Sequence, residues 1–380
     1  MRPFTFNPGP RLLSGREQAD ALASKLPPGP CLLVTDRELV RIGHVDAYRD
    51  AIGATRELEI FDEVEADPSK GTLLLAVEAG RSLGASSVVA VGGGSPMDVA
   101  KLAAYLLGSG DELDEIWGVD VAVGKRLPLA LVPTTAGTGS EATPISVITC
   151  EGGVKLAVNS APLIADWAVL DPELTLKLPA SVTAATGIDA IVHAVEAYTS
   201  ARLKNPLSDA LAREALRLLT GNLLKVIEKP QDLEARSAML LGAHLAGLAF
   251  SNAPVAGVHA LAYPLGGLHH LPHGLTNALM LRHVLAHNLE AARNDYAALA
   301  EIVEPACEEL GTQAKAALLI ERLDGLAKRS GLPLRLRDHG IAFEEAPVLA
   351  REAMKQTRLL VNNPCPISES DAQRLYEAAW

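Results

Sequence analysis

The hydrophobic period of this chain changes near residue 178, and that change limits the fold more than any other feature. Before it, short apolar runs at 31–35, 87–91, 129–132 and 167–170 alternate with stretches of helical spacing at 73–83 and 97–107. Strands separated by helices imply a parallel, doubly wound sheet. Two further runs, 145–149 and 155–159, flank Glu151-Gly152-Gly153, a spacing that predicts a hairpin. After Pro179 a helical period takes over at 183–199, 207–228, 234–250, 275–287, 289–310, 314–330, 342–357 and 369–379, with no convincing strand. The expectation is an α/β N-terminal domain with a doubly wound, mostly parallel sheet over residues 1–178. An all-α C-terminal domain follows over 179–380. The 380 residues are too many for one compact core and suit two. A groove between two domains is a common place for an active site.

Composition narrows the class of function. Apolar residues make up 48% of the chain and aromatics only 4%, so both cores must be built from Leu, Val, Ile and Ala. A formal net charge of −12 with no long Lys/Arg run argues against nucleic acid or an anionic membrane as a partner. Cys31, Cys150, Cys307 and Cys365 are scattered, so no disulfide framework is expected and a reducing cytoplasm fits. The opening MRPFTFNPGP lacks the apolar core of a signal peptide, and no stretch approaches the roughly 20 apolar residues of a membrane span. The expectation is a cytoplasmic protein that acts on small molecules.

Two loops read as a phosphate-binding arrangement. The 87–91 run leads into Gly92-Gly93-Gly94-Ser95-Pro96-Met97-Asp98 and then a helix. Ser95 sits where an N-cap belongs, Pro96 suits the first helical position and Asp98 completes an S-x-x-D capping box. Such a helix start, with free N–H groups and the positive end of the dipole, favours phosphate. It is not a G-x-G-x-x-G fingerprint, and alone it reads equally well as an ordinary strand-to-helix turn. A second loop after a strand, Pro133-Thr134-Thr135-Ala136-Gly137-Thr138-Gly139-Ser140-Glu141, adds hydroxyls and glycines. Two loops of this kind suit a dinucleotide at the carboxyl edge of a sheet. Asp36, closing the first strand, can accept from a ribose 2′-OH and repel a 2′-phosphate, favouring NAD over NADP. Its alternative role is simply to start a helix.

A different cluster suggests a metal. Asp189 and His193 are four apart in a strongly helical stretch, so both project from one face. His259 follows on a second helix, and His273 comes fourteen residues later. One carboxylate and three imidazoles suit a borderline divalent ion such as Fe²⁺ or Zn²⁺. His269, His270, His283 and His287 read as bystanders.

At these residues the chain resembles the iron-containing (group III) alcohol dehydrogenases. The matching blocks are GGGSPMDVAK (92–101), PTTAGTGSE (133–141), GIDAIVHAVEAY (187–198), VHALAYPLGGLHHLPHGLTNALML (258–281) and, more weakly, the tail NNPCPISESDAQRLYEAAW (362–380). They run along nearly the whole chain in family order. The resemblance implies a dehydroquinate synthase-like architecture: a nucleotide-binding domain, a helical domain and a metal in the groove between them. It carries the ligand roles to Asp189, His193, His259 and His273. It carries cofactor contacts to Asp36, Gly93, Gly94, Ser95, Thr134, Thr135 and Thr138, and more loosely to Lys155. It also implies a homo-oligomer, often a dimer, and reversible hydride transfer between an alcohol or hydroxy acid and NAD, with His273 at the catalytic ion.

Two departures from the pattern stand out. Where many members have a second His in an A-H-P context, this chain has Tyr263, which shares a helix face with His259. A phenol, with a reference pKa near ~10, is a poor general base but a good hydrogen-bond donor. Tyr263 thus joins His273 as a candidate catalytic residue, and simple packing is its alternative role. Cys365 stands where relatives often have Arg. Alternative activities are a hydroxyacid–oxoacid transhydrogenase, or a glycerol dehydrogenase or dehydroquinate synthase-like enzyme.

Overall fold

The computed structural model describes residues 3–380. The chain divides into two compact units: Pro8–Leu176, and the chain up to Asn7 together with Lys177–Trp380. Asn7 joins the second unit through reciprocal hydrogen bonds. Asn7 N donates to Asn252 Oδ1 (2.6 Å), and Asn252 Nδ2 donates to Asn7 O (3.0 Å).

The α/β unit runs β1 (Arg11–Ser14), α1 (Ala19–Ala23), β2 (Cys31–Val34), α2 (Arg37–Arg41), α3 (Asp46–Gly53), β3 (Leu58–Phe61), α4 (Lys70–Leu83), β4 (Ser87–Gly92), α5 (Gly94–Ser109), β5 (Gly118–Val119), β6 (Leu129–Pro133), β7 (Ile145–Thr149), β8 (Lys155–Asn159) and β9 (Trp167–Leu170). Six strands form one sheet in the order β1-β9-β6-β4-β2-β3, with every pairing parallel. A small second sheet, β5-β8-β7, contains the expected antiparallel β7–β8 hairpin, with Thr149 opposite Lys155. Strands β1 and β3 escape the sequence reading. They are four residues each, β1 largely exposed and β3 half-buried, and their apolar runs are short and broken by Arg11, Ser14 and Glu59.

Alternation along the central strands builds a core on each face of the large sheet. Leu32, Val34, Val88, Ala90, Leu129 and Leu131 face α4 and α5, whereas Cys31, Leu33, Val89, Val91, Ala130 and Val132 face the layer with Ala19, Leu22, Tyr48 and Ile52 of α1 and α3. Each buried Leu or Val contributes about 1.5–3 kcal/mol. An exposed ion pair contributes about 0–1 kcal/mol, so the two sheet faces carry the unit. The order β3-β2-β4-β6-β9 reverses direction between β2 and β4. In such sheets, ligands bind beyond the carboxyl ends of the strands at that reversal. The segments leaving those two ends begin at Thr35-Asp36 and at Gly93.

The second unit is helical throughout its described residues: α6 (Ala180–Thr199), α7 (Pro206–Glu228), α8 (Leu233–Asn252), α9 (Gly257–His269), α10 (His273–Asn288), α11 (Arg293–Val303), α12 (Thr312–Arg329), α13 (Ala346–Met354), α14 (Thr357–Leu360) and α15 (Glu369–Ala379). Two expected helices are shorter than their periodicity suggested. The 289–310 pattern splits into α11 and a short 3₁₀ turn at Pro305–Cys307, because a proline there cannot donate to the helix ladder. The 342–357 pattern yields α13 alone, preceded by a 3₁₀ turn at Phe343–Glu345. Helix α6 is apolar nearly all round and buried from Gly187 to Thr199, the signature of a central helix. It packs on α7, α8 and α10. Gly187 permits that packing, since a Cβ there would lie 2.5 Å from Leu223 Cδ1. No single helix among the described residues is long and apolar enough to cross a membrane, and all four cysteines are free thiols.

Candidate metal centre and dinucleotide loops

Helix α6 carries Asp189, His193 and Glu196 on one strip, at i, i+4 and i+7. Helix α9 brings His259 to it, and α10 begins at His273. The approach of α10 depends on Gly274: a Cβ at that position would sit 2.4 Å from the backbone oxygen of Ala185. Asp189, His193, His259 and His273 each offer a donor atom within 4.8 Å of the others. Asp189 Oδ1 lies 3.9, 3.8 and 3.7 Å from the Nε2 atoms of His193, His259 and His273. Two donors each about 2.1 Å from a shared ion are at most about 4.2 Å apart, so these spacings fit one divalent cation. The donor set fits as well, being one carboxylate and three imidazoles.

The ring orientations come from packing. His193 stacks on Phe250 of α8 (centroids 4.4 Å apart) and on His259 (4.7 Å), and His259 meets His273 at 5.4 Å. Glu196 Oε2 lies 2.6 Å from His259 Nδ1, so His259 offers its Nε2 to the centre. Asn277, one turn beyond His273 and fully buried, donates Nδ2 to Asp189 Oδ1 at 2.6 Å. The same nitrogen lies 3.1 Å from His259 Nε2 and 3.3 Å from His273 Nε2. Burial pushes the Asp189 carboxyl up, but the charges of His193, His273 and His259 and the Asn277 amide outweigh it, and Asp189 is held below the usual carboxylate range. The side chains of Asp189, His193 and His259 are 2–5% exposed, against 39% for His273. The cluster therefore opens at His273. Tyr263 borders that opening, half-buried, its ring 5.9 Å from that of His273.

In the α/β unit the loops take a form that differs in one respect from the sequence reading. The N-cap of α5 is Gly93, with no side-chain cap, so Ser95 lies inside the first turn and Asp98 closes no capping box. A glycine lets the chain enter the helix directly from the strand end. Gly94 lies against Thr138, where an added Cβ would approach Cγ2 to 3.1 Å. Thr134 N donates to Gly92 O (2.9 Å), and Thr35 Oγ1 donates to Val91 O (2.8 Å).

Asp98 serves a different purpose. Its carboxylate accepts from Ser140 Oγ (2.6 Å) and Val147 N (2.9 Å). Fully buried Lys101 donates Nζ to Ser140 Oγ (2.6 Å), Thr143 Oγ1 (3.3 Å) and Ile145 O (2.7 Å). Burial pushes Asp98 up and Lys101 down in pKa, while their mutual charge opposes both shifts. The network ties the glycine turn to the hydroxyl-rich loop. Asp36 is the N-cap of α2 and accepts from Leu39 N (2.9 Å). Lys155 stands apart in the β7–β8 hairpin, its Nζ 2.6 Å from Asp67 Oδ1.

Sequence reasoning missed Glu196, Asn277, Phe250, Gly274 and the role of Lys101. The first two were within reach, because Glu196 is i+3 from His193 and Asn277 is i+4 from His273, each on its ligand's helix face. Phe250 arrives from a separate helix, and no spacing announces it.

A doubly wound sheet with a glycine turn at its direction reversal, together with an Asp-His₃ cluster on a helical unit, fits the class of metal-dependent dehydrogenases. Residues 9–172 match the iron-containing alcohol dehydrogenase family model, and residues 183–380 match the C-terminal model of the Fe-containing alcohol dehydrogenase family. Long-chain-alcohol dehydrogenase 1 of Geobacillus thermodenitrificans is 40% identical over 353 residues, covering 92% of this chain and 89% of that protein. The NAD-dependent methanol dehydrogenase of Bacillus methanolicus is 33% identical over 326 residues, 85% of each chain. A crystal structure of 1,3-propanediol oxidoreductase superposes with a TM-score of 0.94 at 34% identity, covering 100% of both chains. The chain belongs to the iron-containing alcohol dehydrogenase family. It is a metal-dependent, NAD-linked alcohol dehydrogenase, an oxidoreductase acting on CH–OH groups.

Proposed function

We propose that this enzyme interconverts unbranched primary alcohols and their aldehydes, using NAD in preference to NADP and one divalent ion, iron by family membership with zinc as the alternative. The observation that carries the reading is the convergence of Asp189 Oδ1 and three imidazole Nε2 atoms, three of the four residues buried and His273 partly exposed. When bound, the ion supplies Lewis acidity toward the substrate oxygen and the nicotinamide ring accepts or returns the hydride. The residues of the chain hold and orient. Asp189, His193, His259 and His273 grip the ion, Glu196 sets the His259 tautomer, and Asn277 steadies the Asp189 carboxylate. Tyr263 stands at the open edge as a hydrogen-bond donor to the substrate or to the water that carries its proton. Gly93, Gly94 and Ser95 offer backbone N–H groups to the pyrophosphate, with Thr134, Thr135 and Thr138 alongside it. Lys155 is a further cofactor contact if it leaves Asp67.

The substrate class rests on relatives named for long-chain alcohols and for methanol. The NAD preference rests on Asp36 at the end of β2. A homodimer is part of the reading, supported by family habit and by the exposed edge strand β1. A cytoplasmic setting is also part of it, and four free thiols fit a reducing compartment.

His273→Ala tests the centre. Metal content by elemental analysis and NADH formation from a panel of primary alcohols should be lost together, with kcat/KM falling at least about a thousandfold. Wild-type turnover in a metal-stripped His273→Ala enzyme would remove the metal from the reaction.

A further inference from the structure

Helix α9 carries His259 but starts under poor conditions. The chain bends by 105° between α8 and α9, and the first N–H groups of α9 lie in a buried turn where Ala256 and Val258 are each 1% exposed. Buried N–H groups at a helix start need acceptors, and Ala256 at the N-cap has no side chain to supply one. The acceptors come from two distant segments. Glu196 takes Ala256 N on Oε2 (3.0 Å) and Val258 N on Oε1 (2.6 Å), while Asn363 Oδ1 takes Gly257 N (3.2 Å).

The same Glu196 carboxylate faces His259 Nδ1. Asn363 is fixed in turn by exchanging amide hydrogen bonds with Asn288, at 3.0 and 2.7 Å, and by donating to Cys365 O (2.5 Å). Its neighbour Asn362 donates to Val255 O (3.0 Å), and Tyr376 Oη donates to Leu261 O (2.6 Å) further along α9. Gly257 is required for this closeness, because a Cβ there would sit 2.6 Å from Asn363 Oδ1.

We propose that Glu196 and Asn363 are positioning residues: an external cap, completed by the C-terminal segment, that fixes the start of α9 and the tautomer of His259 so that its Nε2 is free for a cation. The inference rests on the metal reading of the site. It extends that reading to a role for the NNPCP tail, and it explains why one buried carboxylate serves both backbone and ring. Glu196→Gln changes the partner of the ring together with one cap bond, whereas Asn363→Ala removes a cap bond alone, so the pair separates this role from plain helix capping. A glutamine oxygen can still accept from Val258 N, but an amide nitrogen in the place of Oε2 faces His259 Nδ1 and leaves Ala256 N without its acceptor. That moves the ring proton to Nε2, the atom the cation needs.

The test uses the full-length apoprotein. Zn²⁺, and Fe²⁺ under anaerobic conditions, are titrated against a competing chelator, and NADH is titrated by fluorescence as a control on the other unit. Glu196→Gln should weaken metal binding about 10–100-fold, with NADH affinity unchanged. Asn363→Ala, which leaves the carboxylate in place, should weaken it by about three- to tenfold, and unchanged metal affinity in this variant overturns the role of the tail. Wild-type metal affinity in Glu196→Gln overturns the proposal, as does an equal fall in metal and NADH affinity, which marks general loosening. If Glu196→Gln does not fold, Asn363→Ala decides by the same two readouts. Undiminished metal affinity in His273→Ala would instead defeat the underlying metal reading and leave the cap untouched.

Discussion

The metal cluster and the dinucleotide loops prepare for their ligands in opposite ways. In the helical unit the proposed ligands are side chains, and three of the four are held by another side chain: His259 by Glu196, His193 by Phe250, Asp189 by Asn277. In the α/β unit the groups proposed to meet a phosphate are mostly backbone N–H groups at a glycine turn, and the supporting side chains lie behind them, with buried Lys101 and half-buried Asp98 under the loops. A small cation needs several donors at fixed distances, which only braced side chains provide. A diphosphate needs close backbone approach, which only glycines permit. The two regions should therefore fail independently and for different reasons.

The largest effect is expected from Lys101→Met. It leaves Ile145 O without its donor and Asp98 without its cation, and breaking one partner of a buried pair costs about 3–5 kcal/mol. The melting temperature and NADH affinity should both fall, while the metal bound per folded chain stays at one. Loss of the metal along with NADH would show that the two regions are not independent. Gly274→Ala should come next. The new methyl meets the backbone of Ala185 and pushes α10 off α6, at about 1–3 kcal/mol of stability. His273 moves with the helix, and turnover should drop about 100-fold, with weakened metal binding and intact NADH binding. A normal metal affinity here would show that the ligand helices tolerate more displacement than the bracing implies. The smallest effect is expected from Asp36→Gly. Glycine is a tolerable N-cap, so stability changes by only a few tenths of a kcal/mol. The NAD-to-NADP preference in kcat/KM should shrink about tenfold. An unchanged ratio would leave Asp36 as the cap of α2 and nothing more.

Much of this was legible in the chain. The central strands of the large sheet are continuous apolar runs because both faces are covered, and such runs are readable without knowing their neighbours. The edge strands β1 and β3 were not, because a four-residue strand interrupted by polar side chains carries little apolar signal. The long α6 could be read from its period, whereas the 289–310 reading followed the period across Pro305, whose missing N–H already marked the break. Ser95 shows the limit of motif reading. Serine, proline and aspartate at those spacings fit a capping box, yet a glycine one position before the helix took the cap, and Asp98 turned toward Ser140 and Val147.

Residue types and short spacings were determined by the sequence alone: an oxygen and an imidazole four apart on one helix face, glycines at a strand end, histidines in a cluster too dense for chance. They define the donors and the class of chemistry, since a ligand's chemistry depends on which atoms are available. What braces those donors was decided only by the tertiary structure. Glu196 meets residue 259 across 63 positions and Asn363 meets Gly257 across 106. Contacts at such separations arise from how helices pack, and packing follows from the shapes of whole faces, which no local pattern along the chain records.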